Sequence, residues 1–175
     1  MIAFLDVDYR QNKARAACVV VKSWKDRVPH AAFICDVDEV FPYQPGSFYR
    51  RELPCLLEVL KRVPMPLSTI VVDGYVWLPP EGKPGLGAHL YDATGRRIPV
   101  IGVAKTDFRG AGDSELVERV YRGRSKSPLF VTSVGLHKRE AAELIRSMAG
   151  DHRIPEILRM TDRLARSRGP LPPST

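Results

Sequence analysis

The sequence predicts an α/β fold, a mixed sheet with helices on both faces. Three observations carry the prediction. The first 38 residues hold three segments rich in Val, Ile, Ala and Phe, separated by short polar turns. Helical and strand patterns then alternate, and two helical patterns close the chain. Short turns join antiparallel neighbours and crossover helices join parallel ones, so three antiparallel strands should lead into parallel strands. A length of 175 residues suits one domain, taken here as residues 1–168, with residues 169–175 (GPLPPST) as a disordered tail.

The elements follow in order. Ile2–Tyr9, Ala14–Trp24 and His30–Asp36 read as strands, with turns over Arg10–Lys13 and Lys25–Pro29. A Pro/Gly-marked loop, Phe41–Ser47, comes next. Phe48–Arg62 places Leu53, Leu56, Leu57 and Leu60 at helical spacing, and Pro54 either opens that helix or kinks it. The apolar runs Ser68–Val72 and Ile98–Ala104 read as strands. Between them lie a Gly/Pro-rich loop, Gly74–Pro84, and a short helix, Leu86–Tyr91. The strand Leu129–Ser133 precedes helices over Arg139–Met148 and Pro155–Arg166.

Composition narrows the function. No apolar run reaches the ~18 residues of a membrane span. The opening MIAFLDVDYR carries Asp6 and Asp8 instead of the basic start of a signal peptide. Three cysteines, Cys18, Cys35 and Cys55, lack metal-type spacing and fit reduced thiols in a cytoplasmic protein. The net charge of +7 is concentrated: residues 119–168 carry twelve Lys/Arg against five Asp/Glu, and the remainder carries fifteen of each. A one-sided basic region suits a polyanionic partner, with a solvated basic face as the alternative. Arg122, Arg124 and Lys126 lie in the run RGRSKS (Arg122–Ser127), which reads equally as a phosphate-binding loop or as a solvated linker.

Three carboxylates stand in unusual places. Asp6 interrupts an apolar strand, Asp73 closes the run TIVV before Gly74, and Glu52 lies near the start of a helix. Each has a plain structural use. Asp before Gly forms turns, and an early helical Glu complements the helix dipole. A mid-strand Asp has fewer such uses, and Asp8 shares its parity. If the first and fourth strands are neighbours, Asp6 and Asp73 lie side by side with Glu52 in reach. Such a cluster repels itself unless a hard divalent cation neutralises it, and oxygen donors suit Mg²⁺ or Mn²⁺.

These residues sit in segments that resemble the endonuclease V family, ribonuclease H-like nucleases that cut deoxyinosine-containing DNA and, in some members, inosine-containing RNA. The segments are FLDVDY, PYQPGSFYRRELPCLL, VVDG, GLGAHL, IPVIGVAK and RIPEILRMTDRLAR, in the family's order across about residues 3–165. The long PYxPGxxxxRExPxLL pattern is the most specific. The resemblance implies a ribonuclease H-like mixed sheet and a Mg²⁺ (or Mn²⁺) site held by Asp6, Glu52 and Asp73. It places Lys105 near the scissile phosphate and makes Tyr43 a wedge beside a flipped base. Gly74 and the GLGAHL segment, from Gly85 to His89, would line the base pocket, and Arg51 falls within the substrate-binding pattern. It also implies DNA or RNA as partner, a DNA-repair role and a monomer.

The chain departs from the family pattern in two places. Pro79 stands where the family has a histidine, and Tyr75, Val76 and Trp77 replace small residues beside Gly74, which should narrow the base pocket and weaken the preference for inosine unless the Pro79-Pro80 turn swings these side chains outward and preserves it. The segment Ser133-Val134-Gly135-Leu136-His137 shifts the family's later histidine by one residue, leaving His137 as either a fourth metal ligand or a helix cap. The reading is a metal-dependent endonuclease. The alternatives are a catalytically impaired nucleic-acid-binding relative and another phosphoryl-transfer enzyme on the same fold.

Overall fold

A computed structural model describes residues 1–10, 13–38, 49–108 and 114–169. The Phe41–Ser47 loop with Tyr43, and residues 170–175 of the expected tail, lie outside the described residues. Strands β1 (Ile2–Arg10), β2 (Lys13–Val21) and β3 (Ala31–Val37) come first, followed by helix α1 (Tyr49–Leu60) and strand β4 (Thr69–Asp73). Short strands β5 (Trp77–Leu78) and β6 (Lys83–Pro84) precede α2 (Leu86–Ala93) and β7 (Val100–Ala104). The chain continues through β8 (Glu118–Val120), β9 (Leu129–Val134), α3 (Lys138–Ser147) and α4 (Glu156–Arg166).

Among the described residues, seven strands form one sheet in the order β3-β2-β1-β4-β7-β9-β8. The first three are antiparallel, and β1, β4 and β7 are parallel. β9 then reverses, pairing antiparallel to β7 and to the edge strand β8. A parallel return needs a crossover of a dozen or more residues, usually a helix, and no helix is described between β7 and β9. Two elements were not anticipated. Within the expected loop Gly74–Pro84, β5 and β6 form a small antiparallel pair, and β8 adds the sheet edge. Each is too short to show a periodicity.

Strand alternation sorts the core into two layers. Ala3, Leu5, Ile70 and Val72 pack with Cys55, Leu56 and Val59 of α1 and Leu86 and Leu90 of α2. Phe4, Val71, Ile101 and Val103 pack on the opposite face with Ala141, Ala142 and Ile145 of α3 and Ile157 and Leu158 of α4. Pro54 lies inside α1 rather than at its start. Having no N–H, it leaves one carbonyl of the preceding turn without its helical bond. The three cysteines are buried free thiols.

Candidate active site

The parallel strands bring three residues to one end of the sheet. Leu5 of β1 pairs with Val72 of β4, so Asp6 and Asp73 follow as neighbours, and Asp73 pairs with Val103, two residues before Lys105. Alternation sets their direction. Asp6 keeps the parity of Phe4, Asp73 that of Val71 and Lys105 that of Val103, which is the α3/α4 side of the sheet. There α4 supplies Asp162. Carboxylate oxygens of Asp6, Asp73 and Asp162 all lie within 4.8 Å of one another.

Glu52 reaches the same place from the other side. It is buried on α1 and lines a cleft of about 280 Å³ with Asp6, Asp8, Asp73, Asp162 and Arg166. It is not in the tightest group of three. Lys105 Nζ donates to Asp73 Oδ2 at 2.5 Å and lies 3.7 Å from Asp162 Oδ1. Arg166 pairs with the same Asp162 oxygen at 3.1 Å.

The crowding shifts protons. Burial, then the neighbouring charge of Asp73, pushes the Asp6 carboxyl up to about 7, with Lys105 acting in the opposite sense. Burial, then Asp6 and Asp73, pushes Glu52 up to about 8. Burial works against the Lys105 ammonium, but the hydrogen bond to Asp73 and the surrounding carboxylates outweigh it and hold its pKa above the ordinary lysine value. The set offers oxygen donors only, and the donors repel one another. It fits a hard divalent cation such as Mg²⁺ or Mn²⁺.

Three arginines hold the framework. Arg10 donates to the carbonyls of Arg166 and Ser167, and Arg15 to those of Ser167 and Gly169. The last carbonyl of α4 and those of the residues just after it are thereby engaged, which ties the helix bearing Asp162 to β1 and β2. Arg153 donates to the carbonyls of Lys105 and Pro128, fixing the end of β7 against the start of β9.

The remaining expected site residues are distributed differently. Gly74 adopts φ +133° and donates its N–H to Val103 O at 3.1 Å, a backbone conformation that side-chain-bearing residues rarely take. Gly85 begins α2, where an added Cβ would stand 2.6 Å from the carbonyl oxygen of Tyr75. The Arg51 guanidinium lies over the Tyr9 ring, 4.0 Å from its centroid.

Three expectations require correction. His137 is not brought to the carboxylates. β9 runs antiparallel to β7, so Val134 is level with Val100 at the far end of the sheet, about 10 Å below the Asp73–Val103 pair. His137 follows there as the N-cap of α3, its Nδ1 accepting the Arg139 N–H. Arg122 is no phosphate contact. It is buried, and its terminal nitrogens donate to the carbonyls of Ile145, Arg146, Met148 and Gly150. Tyr75, Val76 and Trp77 do not crowd Gly74. Tyr75 packs with Ala104, Val117 and Phe130 and donates its hydroxyl to Thr106 O, Val76 is fully buried, and Trp77 Nε1 donates to Ser133 O. Apart from its chain neighbours Asp73 and Tyr75, a Cβ on Gly74 would meet nothing within 4 Å among the described residues.

Asp162 lies in the RIPEILRMTDRLAR segment that carried the resemblance, but the sequence reading assigned it no role. A signal was present: Leu158, Thr161 and Ala165 are buried along one side of α4, and Asp162 adjoins that stripe. A carboxylate bordering a buried helical face needs a partner, as Asp6 does.

The sequence matches the Endonuclease V family over residues 1–163. It is 34% identical over 178 residues to the endonuclease V of Streptomyces avermitilis, covering 91% of this chain and 75% of that one. The crystal structure of human endonuclease V aligns with a TM-score of 0.75 at 23% identity, covering 94% of this chain and 82% of that one. Endonuclease V (D234N) of Ciona intestinalis, solved with a 23mer DNA containing an inosine, aligns with a TM-score of 0.75 at 18% identity, covering 94% and 83%. The sheet order is thus the ribonuclease H-like one of these neighbours. With the match running from the first strand through the helix that carries Asp162, the chain belongs to the endonuclease V family.

Proposed function

We propose that the chain is a divalent-metal-dependent endonuclease that hydrolyses a phosphodiester on the 3′ side of inosine or deoxyinosine. The observation that carries this reading is the convergence of Asp6, Asp73 and Asp162 within 4.8 Å, with Lys105 on Asp73. Asp6, Asp73 and Asp162 would hold the ion, with Glu52 closing the cleft from α1. A divalent cation bound there supplies charge neutralisation and an acidified water for in-line displacement at phosphorus. Asp6 and Glu52 would each have to give up the proton that burial favours in order to hold an ion, because only carboxylates ligate it. Lys105 stays cationic at neutral pH and offers a hydrogen-bond donor to the negative charge that builds on the phosphate oxygens.

Base selection belongs to the Gly74 side. Tyr75, Val76 and Trp77 are committed to internal packing, so their bulk leaves the Gly74 side available to an extruded base. The inosine-containing DNA bound by the Ciona relative supports the same substrate class here. Tyr43 keeps its proposed role as the wedge.

The test uses labelled DNA and RNA strands, matched except for one inosine, with Mg²⁺, Mn²⁺ or EDTA. Inosine-dependent cutting that needs the cation is expected, and Asp73→Asn should abolish cutting while the strand still binds. Binding without cutting in either metal would overturn the reading in favour of a non-catalytic relative.

A further inference from the structure

We infer that α4 is a phosphate-binding rail, with Arg159 and Arg166 gripping two backbone phosphates on either side of the carboxylate cleft. The inference rests on the nucleic-acid reading above and assigns it residues. Arg159 precedes Asp162 by three positions and Arg166 follows it by four. At 100° per residue all three fall on one side of the helix, and both arginines are exposed. The rise of ~1.5 Å per residue sets the two arginine positions about 10 Å apart along the axis, far enough for each to grip a phosphate of its own. A phosphate between them would lie opposite Asp162.

Each arginine opens on a cavity. Arg166 lines the cleft of Asp6, Glu52, Asp73 and Asp162. Arg159 lines an open groove of about 390 Å³ with His152, Arg153 and Ile154. Ile154 also borders the small pocket beneath Asp6, Asp73 and Lys105, which places the groove next to the acidic centre beside α4. The groove offers cationic side chains and no carboxylate among its lining residues.

The pairing of Arg166 points to a ligand that arrives with the metal. Without a cation, Asp162 is neutralised by Arg166 at 3.1 Å and by Lys105 at 3.7 Å. A divalent ion takes over that task and leaves a guanidinium beside a cleft that has gained positive charge. Guanidinium binds phosphate through two parallel hydrogen bonds, and a strand crossing the cleft supplies one. The end of α4 would otherwise repel an anion, but the guanidinium groups of Arg10 and Arg15 sit on the carbonyls of Arg166 and Ser167 there.

The test is fluorescence anisotropy of a labelled single-stranded, inosine-containing DNA oligonucleotide across a salt series. Ca²⁺ replaces Mg²⁺ to slow turnover, and Mn²⁺ affinity is measured separately by electron paramagnetic resonance. Arg166→Gln and Arg159→Gln should each weaken binding about tenfold and reduce the log–log salt slope by roughly 0.7, the share of one single-strand phosphate. Arg97→Gln, at an exposed site beyond the other end of β7, should change neither. Mn²⁺ should bind Arg166→Gln at least as tightly as the parent, since a competitor for Asp162 has gone. An unchanged slope in both variants, or weaker Mn²⁺ binding by Arg166→Gln with an unchanged slope, would overturn the rail and leave Arg166 as a support for Asp162. If the unsubstituted protein binds no oligonucleotide, the nuclease reading falls and the rail with it. If it binds and the variants match it, the rail alone falls.

Discussion

Asp6 and Glu52 retain protons that ordinary carboxyls would have lost, and this gives the metal-free protein a distinctive pH dependence. Their unfolded values near 3.8 and 4.5 rise to about 7 and about 8 on folding. The folded state therefore binds more protons than the unfolded chain between about pH 4 and pH 8, so this stability is present in acid and is lost as pH rises through that window. Thermal melts in EDTA should show the melting temperature falling across it. In excess Mn²⁺ the slope should flatten or reverse, because the ion binds only the deprotonated form and replaces the repulsion. A second contrast belongs to this scale. Asp162→Asn should lower cleavage by at least about 100-fold, the effect of removing one group that stabilises transition-state charge. His137→Ala should leave cleavage within about twofold and cost only the ~0.5–1 kcal/mol of a helix cap.

Among the elements, the end of α3 depends on Arg122. Its buried guanidinium gathers the last carbonyls of α3 and those of the turn leading toward α4. Removing it strands several acceptors away from water, and hydrogen bonds to a charged donor contribute about 1.5–3 kcal/mol each. Arg122→Met should lower the unfolding free energy by about 3 kcal/mol in urea titration. The salt slope of nucleic-acid binding should stay where it was. A flattened slope would return Arg122 to the binding face.

On the scale of the whole molecule, the charge excess in residues 119–168 has two fates. Arg122 and Arg153 are spent on backbone carbonyls, whereas Arg124, Arg159 and Arg166 are exposed. β9 and β8 bring the segment after Val120 to the same sheet end as Lys105, since Val120 pairs with Leu129 and Ala104 with Phe130. Arg124 and Lys126 thus follow at that end of the sheet, beyond its edge strand. Replacing both by Gln should lower the salt slope for duplex binding by up to about 1.8, one phosphate each. No change would confine strand contacts to α4.

Local patterning in the sequence already determined the two-layer sheet and the order of its main elements, and it made Asp6 and Asp73 neighbours on the condition that their strands were adjacent, while Lys105 was placed only by the family resemblance. Alternation and helical period are local properties, and three parallel strands align their ends whatever lies around them. The endonuclease V resemblance rested on segments equally readable in one dimension. Only the tertiary structure decided which side chains complete the cleft. It chose Asp162 over His137 because strand direction, which no local pattern encodes, sends the end of β9 to the far edge while alternation turns Asp6 and Asp73 toward α4. It also buried Arg122, left Arg166 on the cleft and folded Tyr75–Trp77 inward. Each of those outcomes depends on partners distant in the chain, and a charge or an aromatic ring looks the same in sequence whether it meets solvent or a ring of carbonyls.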